Sequence, residues 1–129
     1  MNIDRCPSTL VPGFTSYSPA GLRKLFDGKK VSPILPYDAP DIHGEPEEFL
    51  KNREHISISG VQEKLSVLVD QGTIRLTKSG EQGTHLLKPI SSRLARASDM
   101  PANEHVTMQI AAQLFGISTA PNGLCLSLI

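Results

Sequence analysis

LSVLVDQGTIRLTK, residues 65–78, is the stretch whose reading decides the fold. It reads as two strands, Leu65–Asp70 and Thr73–Lys78, joined at Gln71-Gly72. Two residues between strands, with a glycine to supply positive φ, are a hairpin signal. Outward from the hairpin, Ser79–Gly83 reads as a loop and Thr84–Lys88 as a further strand that Pro89 ends. On the other side, His55–Ser59 alternates apolar and polar residues, as a half-buried strand does. Residues 91–100 are polar and read as loop. Pro101–Phe115 predicts a helix, with Val106, Ile110, Ala111 and Leu114 at helical spacing and Gly116 as its stop. Gly123–Ile129 reads as a last apolar strand. Strands in succession with one packed helix predict an α+β unit built on an antiparallel sheet.

The first third of the chain differs in composition. Seven of the ten prolines fall in residues 1–46, which predicts an irregular segment with short helices, because proline removes a ladder donor and restricts its predecessor. One helix is punctuated clearly: Ser18 as cap, Pro19 in the first turn, Leu22, Leu25 and Phe26 as the apolar stripe, and Gly28 as the stop. A second short helix is expected at Glu45–Arg53, with acids first and bases last. The organisation expected is a Pro-rich segment over 1–54 and an α+β subdomain over 55–129.

Several function classes are excluded by composition. Lys+Arg and Asp+Glu both number 13, so there is no charge excess for a nucleic-acid clamp or a polybasic membrane anchor. No apolar run approaches the ~20 residues a membrane span needs, and MNIDRCPSTL lacks the apolar core of a secretory signal. Cys6 and Cys125 lie at opposite ends, in neither a metal-ligand nor a redox spacing, which predicts a reduced, cytoplasmic protein. His43, His55, His85 and His105 have no helical metal-site spacing, so no metal is expected.

Three places could carry chemistry. In Ser57-Ile58-Ser59-Gly60-Val61-Gln62-Glu63-Lys64, alternation puts both serines on one strand face. Gly60 can open a turn whose N–H groups point at an anion, with Lys64 nearby. A polar edge strand turning into a hairpin explains the same residues. Lys88 closes its strand on the face of Leu86. On the core side of a sheet it would need a phosphate or a carboxylate as partner, whereas at a strand end it could snorkel to water. Glu104, near the start of the long helix, is in register with Met108, Ala111 and Phe115 and could reach Lys88. An acid favoured by the dipole at an exposed helix start is the alternative.

A glycine-turned loop, a strand lysine and a helix glutamate occur in that order in the small lobe of protein kinases, where the loop covers the phosphates, the lysine holds them and the glutamate orients the lysine. The usual G-x-G-x-x-G-x-V loop is absent. The segments SISGVQEKLSVLV, THLLKP and ANEHVTMQIAAQLFGI resemble the HipA-type serine/threonine kinase toxins of bacterial toxin–antitoxin systems. YSPAGLRKLFDGKKVSPILPY resembles the start of their short form, the HipT toxins. The likeness runs from about Tyr17 to Leu128.

That resemblance implies a kinase small-lobe-like sheet and helix. By it, Ser57 and Ser59 match autophosphorylation serines, Ser59–Lys64 the phosphate loop (Ser59, Gly60, Val61, Gln62, Glu63, Lys64), Lys88 the ATP lysine and Glu104 the acid that orients it. It implies ATP and Mg²⁺ as cofactors of the full-length protein, an aminoacyl-tRNA synthetase as a possible protein substrate, and a HipB-like DNA-binding antitoxin or HipS-like small protein as partner. The family's catalytic and metal-binding aspartates have no counterpart in these 129 residues, so the chain alone is expected to be inactive and to hold no nucleotide tightly. The other function to weigh is a non-catalytic interaction module or pseudokinase fragment that binds such an antitoxin.

Overall fold

The computed structural model describes residues 3–36, 64–89 and 99–127. The elements expected at Glu45–Arg53 and His55–Ser59, and all but the end of the loop expected over 91–100, lie outside the described residues. The described elements run α1 (Pro19–Phe26), β1 (Ile34–Leu35), β2 (Leu65–Asp70), β3 (Thr73–Leu76), β4 (His85–Leu87), α2 (Met100–Phe115) and β5 (Leu126–Ser127). The class is α+β: a three-stranded antiparallel sheet in the order β3-β2-β4, a small parallel pair β1-β5, and one long helix.

The hairpin forms where the sequence places it. Gln71 and Gly72 both have positive φ, 50° and 77°, the turn whose twist matches its flanking strands. Asp70 then pairs with Thr73 and Val67 with Leu76. The second strand stops at Leu76 rather than Lys78 because Glu81 captures the chain there. Its Oε1 accepts the Lys78 N–H at 2.7 Å, while both its oxygens take the Arg75 guanidinium at 2.8 Å. Arg75 Nε also donates to Asp70 at 2.8 Å.

One face of the sheet carries the core. Leu65, Val67 and Ile74 are buried, and Val67 and Ile74 pack with Cys6, Tyr17, Phe26, Val31 and Leu35 from the first third of the chain. In α1 the Ser18 hydroxyl accepts the Gly21 N–H, and Asp27, in the left-handed region, ends the helix one residue before Gly28. Its stripe turns inward: Phe26 is buried against Tyr17, centroids 5.3 Å apart. His85 of β4 ties sheet to helix. Its Nε2–H donates to the Leu25 carbonyl at 2.6 Å, and its Nδ1 shares a hydrogen bond with the Thr84 hydroxyl at 2.7 Å.

Two expectations change. Among the described residues the last strand is Leu126–Ser127, Leu128 and Ile129 lying outside them, and it runs parallel to β1 instead of joining the antiparallel sheet. The cause is the N-terminal segment, which takes the backbone around it: Leu124 N–H bonds Pro7 O and Leu126 N–H bonds Pro33 O. The apolar stripe of α2 also does not turn inward. Val106, Ile110 and Leu114 are 41%, 43% and 75% exposed. The buried residue of the helix is instead the polar His105, with Met108, Gln109, Ala111 and Ala112 half-buried around it and the exposed Gln113 donating to the Thr9 carbonyl.

Candidate functional site

The register Ser66↔Leu86, with Leu86 57% exposed, marks the second face of the sheet as the open one. Lys88, two residues beyond Leu86, therefore belongs to this open face and not to the core side. Its side chain is 37% exposed, and its Nζ donates to Glu104 Oε1. Glu104 sits one turn inside α2 rather than at its exposed start. The two groups whose spacing suggested a pair thus meet, 16 residues apart in sequence. A half-exposed ion pair of this kind contributes little to stability, of order 0–1 kcal/mol. What it does chemically is hold an ammonium at a fixed point on an open surface that also carries the apolar Leu86.

Ser57, Ser59, Gly60, Val61, Gln62 and Glu63 lie outside the described residues; Lys64 is described, half-buried, immediately before β2. Among the described residues no group of three His, Cys, Asp or Glu side chains could hold a metal ion, and no helix is long and apolar enough to cross a membrane.

Behind Glu104 is a cluster that sequence reasoning passed over. His105 Nδ1–H donates to Asn122 Oδ1 at 2.6 Å, and Gln109 Nε2 donates to the same oxygen at 3.0 Å. Asn122 Nδ2 donates to Ala120 O, which fixes the amide's orientation and hence the imidazole tautomer. The other ring nitrogen, Nε2, is buried beside the Ser8 backbone without a well-formed hydrogen bond. Burial holds the imidazole below its ordinary pKa, against the hydrogen bonds of Asn122 and of the Ser8 backbone. The four-residue recurrence His105, Gln109, Gln113 was the signal available, but a polar row on a helix ordinarily reads as a solvated face.

An α+β domain with a strand-end lysine ion-paired to a long helix on an open sheet face is the class of protein the structure defines. Residues 56–127, more than half of the chain, match the family model of the HipA-like C-terminal domain. The chain belongs to that family. No curated protein matches it closely enough to count as a relative.

Proposed function

We propose that this chain is the nucleotide-facing part of a HipA/HipT-like serine/threonine kinase toxin that binds ATP in its full-length form and phosphorylates a protein such as an aminoacyl-tRNA synthetase. The observation that carries the reading is the Lys88–Glu104 pair on the open sheet face of a chain belonging to the HipA-like family. Lys88 would neutralise phosphate charge, and Glu104 would keep its ammonium in place when no nucleotide is bound. Leu86, exposed on the same face, offers apolar surface to a base. The residues fit a nucleotide phosphate in this respect. Ser59–Lys64 would cover the phosphates, and phosphorylation of Ser57 or Ser59 would add about −1.5 to −2 charges beside them, an off switch. Mg²⁺ supplies neutralisation of the transferring phosphoryl group when bound, and a HipB-like or HipS-like partner would restrain the enzyme.

The test is Lys88→Ala in the whole protein encoded by the reading frame that contains these residues. Phosphate transfer should fall by roughly 10²-fold or more, as when a group that stabilises transition-state charge is removed, with the melting temperature unchanged. Normal transfer rates would make Lys88 a strand-end residue and put the nucleotide site elsewhere.

One observation favours the second reading, a non-catalytic module that docks a HipS- or HipB-like protein. Leu114, Phe115 and Ile117 at the end of α2 are 75%, 72% and 56% exposed. Under that reading Lys88→Ala leaves partner binding intact and Leu114→Asp abolishes it.

A further inference from the structure

Glu104 and His105 are consecutive residues of α2, so their side chains leave the helix about 100° apart. Whatever fixes the direction of His105 therefore fixes that of Glu104. An apolar packing face would be a poor device for this, because apolar contact is non-directional and tolerates rotation and sliding of a helix. The buried residue of α2 is instead the polar His105, and its contacts are hydrogen bonds. His105 and Gln109, one turn apart, both converge on Asn122 Oδ1, at 2.6 and 3.0 Å. Asn122 is itself anchored on the far side: its carbonyl accepts the Ser8 hydroxyl at 2.9 Å and its amide donates to Ala120 O at 2.8 Å. Gln113 continues the row to Gln109 and to the Thr9 carbonyl, at 2.7 and 2.8 Å.

We infer that Asn122 is a positioning residue: by holding His105 and Gln109 it sets the rotation of α2 and so aims Glu104 at Lys88. In the proposed kinase this places the lysine for phosphate, and to that extent the inference rests on that reading. Asn122 touches neither Lys88 nor Glu104 in any hydrogen bond of the structure and acts only through the helix.

The test is competitive acylation of lysine amines in the folded chain, with Lys88 read by mass spectrometry against exposed Lys78 as internal standard. No nucleotide is involved, so this result and the activity of Lys88→Ala are independent. Glu104→Gln removes the carboxylate and sets the ceiling, an increase in Lys88 reactivity of about two- to five-fold, the scale of a half-exposed ion pair. Asn122→Leu should reach at least half of that increase. Asn122→Asp, which keeps the accepting oxygens, should stay near wild type. Gln109→Ala, a milder change that removes one of the two convergent donors, should give a smaller rise in the same direction and covers the case in which Asn122→Leu does not fold. Wild-type Lys88 reactivity in folded Asn122→Leu, or in Gln109→Ala if that alone folds, would show that Glu104 is placed without the cluster and would overturn the inference.

Discussion

Gly83 shows how closely the loop before β4 lies over the sheet. A Cβ built there would stand 1.8 Å from Ser66 Oγ and 3.2 Å from Ser66 Cβ. A side chain there forces the Ser66 hydroxyl into another rotamer and presses the loop against the Ser66 Cβ. Gly83→Ala should therefore destabilise the fold by about 1–3 kcal/mol, the range for overpacking. The double variant Gly83→Ala, Ser66→Ala should recover part of the loss by removing the oxygen. Chemical denaturation of the two variants checks this; equal stability of Gly83→Ala and wild type would mean that the loop has room to shift. Lys88 belongs to the same scale. Its neighbour Leu86 lies on the open face opposite Ser66, so loop and lysine border one surface.

At the scale of elements, the β2–β3 hairpin is braced by charge as well as by its ladder. Arg75 lies between Asp70, which ends β2, and Glu81 in the following loop. The Arg75 hydrogen bonds, then that of the Lys78 N–H, bring the Glu81 carboxyl down from 4.5 to about 2. A carboxylate whose folded pKa lies below its unfolded value binds fewer protons when folded, so its contribution is present above the unfolded value and lost as pH falls. The window is pH 4.5 down to about 2. Because the group is at the surface the effect is small and screened by salt. Acid titration of stability in low salt should show wild type losing more than Glu81→Gln across that window, with the difference shrinking in 1 M salt. Parallel curves for the two proteins would remove the brace.

For the whole molecule, Tyr17 is one of the ties between its two ends. Its hydroxyl donates to the Leu124 carbonyl at 2.8 Å, across 107 residues, and its ring packs on Phe26 in the core. Tyr17→Phe keeps the ring and leaves a part-buried carbonyl without its donor, a loss of about 1–3 kcal/mol. Burial, with Cys125 beside it, also pushes the Tyr17 phenol above its ordinary value of 10. The folded state then keeps a proton that the unfolded chain gives up, so the stability from this group is full below pH 10 and falls as pH rises past it. Tyr17→Phe should lack that alkaline loss. Denaturation of both proteins at pH 7 and above pH 10 tests the two statements, and an alkaline decline that survives in Tyr17→Phe would place its origin elsewhere.

Local chemistry let the hairpin, α1 and the span of α2 be read from the chain itself. Positive φ at Gln71-Gly72, the Ser18 cap and Gly116 at the end of α2 each act within a few residues, so the sequence around them carries the whole cause. A Lys88–Glu104 meeting was legible as one of two readings, because a lysine on a sheet face calls for an anion and Glu104 stood where it could reach it. Three things only the tertiary structure decided. The last strand went to β1 because the N-terminal segment occupied its surroundings, an arrangement between residues some ninety apart in sequence. Lys88 lies on the open face because the first third of the chain covers the other one. And α2 turns His105 and Gln109 inward because Asn122, held by the Ser8 hydroxyl, meets them there with a hydrogen-bonding oxygen. Periodicity in a sequence reports that a helix has two faces. Which face is buried depends on what meets it, and that is a property of contacts between distant segments, where directional polar groups outweighed the apolar stripe.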